Sequence, residues 1–148
     1  MEQYGRDPFP DGISRSDGSV IDGDDIAAKG PYYIQVALSG SGSNIASGTG
    51  KGFAPVHTAG TITAFRVDCD PNNEPSAISV EVDLNKVARD TGTATSVLSS
   101  VATIATGANT ANGTVNGTQT VAVGDMLRLD VDQGSDGKEL IATITITP

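Results

Sequence analysis

The side chains able to do chemistry are few and far apart. His57 is the only histidine and Cys69 the only cysteine. A serine-type nucleophile needs a histidine beside a sharply turned Gly-x-Ser-x-Gly, and no such elbow occurs; Ser41 lies in a glycine-rich stretch. His57, two residues after Pro55, reads as a polar residue on a strand edge. Cys69 alternates with Phe65 and Val67 and is flanked by Asp68 and Asp70. Neighbouring carboxylates raise a thiol's pKa, so this cysteine reads as an apolar filler. Being alone, it can form no intrachain disulfide and no thiolate zinc site. Gly48-Thr49-Gly50-Lys51-Gly52 evokes a phosphate loop but lacks the Gly-Lys-Ser/Thr spacing, and no helix pattern follows it. It reads as a flexible surface loop.

Oxygen ligands are the remaining candidates. Asp68, Asp70, Asn72 and Glu74 fall at alternate positions, as in loops that hold a hard cation. The glycine at the sixth position and the distant bidentate glutamate of an EF-hand are missing. Asp130, Asp132 and Asp136 form a second, weaker group, and Asp22, Asp24 and Asp25 a third. The expectation is that no cofactor is needed, with calcium at the first group the one candidate; as plain turn residues of an acidic protein, these side chains require no ion. Paired carboxylates also serve glycoside hydrolysis, but such clefts are lined with aromatic platforms. This chain has no Trp, three Phe and three Tyr. An enzyme is not expected.

The 148 residues are enough for one domain, or one domain plus an arm. With 18 acidic and nine basic residues the formal charge is −9, and the basic ones form no run. Nucleic acid and anionic membranes are therefore excluded as expected partners. No apolar stretch has membrane-spanning length. The N-terminus, with no basic region ahead of an apolar segment, does not read as a secretory signal, so synthesis in a cytoplasm is expected.

The elements that must carry these residues are strands. Tyr32, Ile34, Val36 and Leu38 alternate, as do Ile78, Val80, Val82 and Leu84, and strand side chains alternate faces with period two. In Thr61 to Cys69 the apolar phase shifts between Ala64 and Phe65, which predicts a β-bulge or two-sided burial. Phe53 to His57 reads as a short strand interrupted by Pro55, and Val97 to Ala105 as extended. Asn112-Gly113 and Asn116-Gly117 are both type I′ turn pairs, too close together to cap separate hairpins. The clearest pattern is Val121 to Pro148. Leu127, Leu129 and Val131 alternate with Arg128, Asp130 and Asp132, and Leu140, Ala142, Ile144 and Ile146 with Ile141, Thr143, Thr145 and Thr147, on either side of Gly134-Ser135-Asp136-Gly137, which predicts a hairpin whose final strand lies inside a sheet. The expected fold is all-β: an antiparallel β-sandwich of jelly-roll type with about eight strands. Its core rests on Ile, Val and Leu for lack of aromatics.

Residues 1–30 differ from residues 31–148. Tyr4, Phe9, Ile13, Val20, Ile21 and Ile26 are isolated apolar anchors in a polar ribbon punctuated by Gly, Asp, Ser and Pro. Such a segment buries too little to offset its ordering entropy alone. It reads either as a disordered tail or as an arm that orders on a partner, its anchors docking there.

Taken in order, the glycine-rich stretch, GTITAFRVDC, a Pro-containing loop, AISVEVDLNK, a Thr/Ser/Ala/Asn-rich middle and VAVGDMLRLDVDQGSDGKELIATITI form a recognisable series. It resembles small jelly-roll structural proteins of tailed bacteriophages, found as capsid decoration (cement) proteins and as head- or tail-fibre domains. The likeness runs roughly from Gly60 to Thr147 and rests on Val82-Asp83-Leu84-Asn85-Lys86 and on Gly124-Asp125 opening the penultimate strand. It implies a non-enzymatic virion protein on the capsid surface, made in a host bacterial cytoplasm. The partners it implies are the major capsid protein and further copies of itself, in a homo-oligomer expected to be a trimer. The alternative it implies is a fibre domain that binds a host glycan or protein. By their residue types, Gly124-Asp125 reads as a turn that re-enters the sheet, and Asp83, Asn85 and Lys86 as caps at a strand end.

Overall fold

The alternating segments become strands and the Gly/Asp/Asn-rich segments become turns. A computed structural model describes residues 13–14, 20–21, 30–40 and 42–148. Contacts divide the chain into one unit of residues 1–30 and another of residues 31–148. In the first, β1 (Ile13–Ser14) and β2 (Val20–Ile21) pair antiparallel, Ile13 opposite Ile21 and Ser14 opposite Val20. Three of the six apolar anchors, Ile13, Val20 and Ile21, thus lie in this ladder; Tyr4, Phe9 and Ile26 lie outside the described residues.

The second unit is an antiparallel sandwich. Its strands are β3 (Tyr32–Ala37), β4 (Asn44–Ile45), β5 (Gly48–Pro55), β6 (Gly60–Asp68), β7 (Val80–Val87), β8 (Ala94–Ser96), β9 (Leu98–Ser100), β10 (Ala102–Ile104), β11 (Thr110–Val115), β12 (Gln119–Val121), β13 (Met126–Gln133), β14 (Ser135–Lys138) and β15 (Ile141–Thr147). One sheet runs β10-β7-β13-β5, with β8 also beside β7; the other runs β3-β15-β6-β11-β9, with β12 also beside β6. A small ladder joins β14 to β4. No helix occurs among the described residues.

The inward faces share one core, largely aliphatic as expected. Leu84, Leu127, Leu129, Ile104, Ile144 and Ile146 are fully buried in it, and Phe65 is its one fully buried aromatic among the described residues. The bulge falls where the apolar phase shifts: Thr145 faces Ala64 but Ile146 faces Ile62, so Thr63 is the extra residue and Ile62 and Phe65 both reach the core.

Three local expectations are corrected. The last two apolar runs are strands, and β15 does lie inside a sheet, between β3 and β6, but they do not form a hairpin. β13 pairs with β5 and β7, and β15 with β3 and β6. Both runs bury an apolar face, and burying the two against each other across the core requires them in different sheets. Residues 134–140 make the crossing, with β14 held on β4; a Cβ on Gly134 would lie 2.3 Å from the Ile45 carbonyl oxygen, so only glycine fits there. Gly48 to Gly52, expected as loop, belongs to β5. Asp83, Asn85 and Lys86, expected at a strand end, lie within β7, because that strand continues to Val87.

Candidate functional site

The outward face of the β3-β15-β6-β11 sheet follows from the inward one. With Ala142, Ile144 and Ile146 buried, Ile141, Thr143, Thr145 and Thr147 point out. Beside them on β3 stand Ala37, Gln35 and Tyr33, opposite Ile141, Thr143 and Thr145. On β6, Asp68, Arg66, Ala64 and Thr61 stand opposite Ile141, Thr143, Thr145 and Thr147. Beyond β6 come Thr110 and Asn112 of β11 and Thr120 of β12. Hydroxyls and amides tie neighbours loosely: Thr63 and Thr147 lie 3.4 Å apart through Oγ1, and Gln35 Nε2 donates to Thr143 Oγ1 at 3.4 Å. Tyr33 is 65 % exposed and Ile141 42 %. Arg66 and Asp68 are the charges on these rows, and they pair with each other at 2.6 Å. The result is a broad face of hydroxyls, methyls and amides whose central strands, β15 and β6, are laddered on both sides.

Within this face, Thr61 to Phe65, Asn112 to Val115, Gly117 and Thr118 line an open depression where β11 leaves β6 and β12 joins it. Gly113 lies in mid-strand, so Asn112-Gly113 is not a turn. A Cβ there would sit 2.8 Å from Leu98 Cδ1 and 2.9 Å from Phe65 Cδ1, so the glycine makes room for the core's largest ring. Asn116-Gly117 is the turn of the two, with Gly117 at φ 59°.

The opposite outer face is polar in a different way. Asp83 stands across from Asp130, and Asn85 across from Arg128. Asp130, 8 % exposed, accepts from Gly50 N at 2.6 Å, Asn85 Nδ2 at 3.1 Å, and Arg128 Nη2 at 2.8 Å. Asn85 Nδ2 also donates to Asp83 at 3.1 Å, so one amide and one guanidinium hold two carboxylates together. Gly50 takes φ 66°, and this bond to Asp130 keeps the glycine-rich segment in register at the edge of the sheet. Burial first, and then Asp83, Asp130 and Glu81, push the Asp132 carboxyl above the usual carboxylate range. This face carries charge; the other sheet's face scarcely does.

The candidate calcium ligands Asp68, Asp70, Asn72 and Glu74 run from the last residue of β6 into the loop that follows it. Asp68 bonds Arg66, while Asp70 accepts from the Asn72 backbone N at 3.0 Å and from Asn72 Nδ2 at 3.2 Å, closing its own turn. The Asn72 amide, then the Asn73 side chain, hold the Asp70 carboxyl below its ordinary range. Asn72 and Glu74 line a shallow surface hollow with Pro71, Pro75 and Gly107. Among the described residues, no group of three or more His, Cys, Asp or Glu side chains is placed to hold a metal ion. Asp136 instead fastens this loop to β14, accepting from Ser76 N at 3.0 Å and from the Ser76 hydroxyl.

Cys69 is buried, and its thiol is raised by burial first and then by Glu74, Asp70 and Asp68. His57 is exposed. Gly124 takes φ 91°, and Asp125 accepts from Ala122 N at 2.9 Å and Arg89 N at 3.2 Å, so this pair is the turn its residue types predict. The neutral face is the feature local reading missed. Its signal was the alternation Thr143-x-Thr145-x-Thr147 and Thr61-x-Thr63, which looks like any wet strand face until β15 is placed between β3 and β6. Compared with known proteins, the chain matches no family model, no curated protein and no solved structure.

Proposed function

We propose that this chain is a non-enzymatic structural protein of a bacteriophage virion: a capsid decoration protein that binds the outer surface of the assembled shell as an oligomer and stabilises it. The observation that carries the reading is the broad, rigid, nearly uncharged face of the β3-β15-β6-β11 sheet on a chain of formal charge −9. A face of mostly neutral side chains costs less to desolvate than a charged one and suits contact with another protein surface, whereas a reaction centre requires converging groups in a cleft.

The strand order supports a jelly roll. Count β3, β5, β6, β7, the β8–β10 segment, the β11–β12 segment, β13 and β15 as eight strands in chain order. One sheet then runs first-eighth-third-sixth and the other second-seventh-fourth-fifth. Such an order arises when one long hairpin, its strands paired 1·8, 2·7, 3·6 and 4·5, is rolled across two sheets. The series from Gly60 to Thr147 that resembles phage decoration proteins fits this order. The partners are the major capsid protein and further copies of the chain, with a trimer the oligomer implied by the resemblance, and residues 1–30 extend the contact as an arm.

Stabilisation follows from linkage: a ligand that binds only the assembled shell raises the free energy needed to open it, by RT ln(1 + [L]/Kd) per site. The test is to mix the full chain with empty shells of the major capsid protein encoded in the same genome. Saturable co-sedimentation with the shells, together with a higher shell disruption temperature, is expected. Shells that neither bind the chain nor gain heat resistance would overturn the reading. Neutral hydroxyls and amides beside the exposed Tyr33 favour, as second reading, a fibre domain that holds a host glycan; retention on host cells but not on shells would select it.

A further inference from the structure

We propose that the outer face of the β3-β15-β6-β11 sheet is covered by another copy of this chain, with Thr143, Thr145 and Arg66 at the centre of the contact. This rests on the assembly reading above and names the partner of that face.

The first argument is charge. Residues 31–148 hold 11 acidic and six basic side chains, a net −5 (6 − 11). On the rows built around Thr145, one acid, Asp68, stands among them, and Arg66 neutralises it at 2.6 Å. The other sheet presents Glu81, Asp83, Asp130 and Asp132 together; Arg128 pairs with Asp130 at 2.8 Å, which leaves three carboxylates in excess. Two copies meeting there would set carboxylates against carboxylates, and like charges juxtaposed in an interface are costly. Of the two sheet faces, the neutral one is the one two such acidic molecules can share.

The second argument is complementarity. Arg66 and Asp68 lie two residues apart on one strand and on the same face, so in a contact between copies each Arg66 can reach the neighbour's Asp68 as well as its own. The pair is therefore self-complementary where the rotation between copies brings each Arg66 onto the neighbour's Asp68. The third argument is the cost of ordering. Thr143, Thr145 and Ala64 have few rotamers to lose, and Tyr33 and Ile141 supply exposed apolar area at two points of the rim. The backbone beneath needs no rearrangement, since β15 and β6 are laddered on both sides.

The experiment is sedimentation velocity of the full chain over a range of concentrations, with four variants. The parent chain is expected to be a dimer or trimer at micromolar concentration. Thr145→Asp should weaken association by at least about tenfold, through repulsion between copies. Arg66→Asp should weaken it similarly, and the exchange Arg66→Asp with Asp68→Arg should restore it, a recovery that a misfolded variant cannot give. Asp132→Asn, on the other sheet, should leave the mass unchanged. A parent that stays monomeric at roughly a hundred micromolar, or a folded Thr145→Asp that associates as the parent does, overturns the inference; the first would place Kd above the range of specific association. The two readings fail separately: an oligomer lost with Thr145→Asp that ignores shells sinks the capsid assignment alone, and a monomer that decorates shells sinks this interface alone.

Discussion

Removing the Asp125 carboxylate should cost the sandwich roughly 2–4 kcal/mol, since a buried amide left unpaired costs about 1–3 kcal/mol and two are affected. The side chain is 9 % exposed and bridges two loops: one oxygen accepts from Ala122 N at 2.9 Å and the other from Arg89 N at 3.2 Å. Ala122 and Arg89 are themselves exposed, so water partly rescues their amides and the lower half of the range applies. In Asp125→Ala the melting temperature should fall by on the order of 10 °C for a domain of this size.

The pH dependence carries a sign. The Ala122 amide, then the Arg89 amide, hold the Asp125 carboxyl below its ordinary value, against the opposing effect of burial. A carboxyl whose folded pKa is depressed contributes stability that is fully present above its unfolded pKa of about 3.9 and lost as pH falls through the folded value. Urea denaturation of parent and variant at pH 7 and pH 3 is the assay, and the gap should narrow at pH 3. Asp125→Asn keeps one acceptor oxygen without the charge and should lose about half as much. A variant within about 0.5 kcal/mol of the parent at pH 7 would refute the reasoning, because surface substitutions without a structural role fall in that range.

Phe65→Ala should cost about 3–5 kcal/mol, the usual loss for a buried phenylalanine, and Gly113→Ala about 1–3 kcal/mol by overpacking; both are read from denaturation midpoints. Asp132→Asn should raise the midpoint at pH 7, because a carboxyl whose folded pKa is raised opposes folding when ionised. That gain should disappear as pH falls below the ordinary carboxylate range, as paired melts at pH 7 and pH 3 would show. Asp130→Ala should free the Gly50 amide, speeding hydrogen exchange of residues 48–52 while the β7 amides that face β10 keep their protection.

What could be read along the chain was what depends on near neighbours. The phase shift at Ala64 and Phe65 became a bulge at Thr63, because a strand of period two can bury Ile62 and Phe65 together only by adding a residue. Cys69 and Gly124-Asp125 likewise took the roles their flanking residues imply. What could not be read was the choice of distant partners. β13 and β15 each carry an apolar face and are separated by turn residues, and that pattern suits a hairpin as well as a crossing between sheets. Gly134 settles it through an approach to Ile45 that only the folded chain displays. Gly48 to Gly52 looked like loop because its strand partner and its Asp130 anchor lie about 80 residues downstream. The neutral face was hidden for the same reason: Tyr33, Ala64 and Thr145 become neighbours only once β3, β15 and β6 stand side by side.

The most direct test of the decoration reading is the disruption temperature of empty shells of the cognate major capsid protein, followed by light scattering as the full chain is titrated in. The account predicts a rise that saturates at a fixed ratio of chain to capsid subunit, with the chain leaving the supernatant in step. A disruption temperature that stays flat while the chain remains in the supernatant would contradict it.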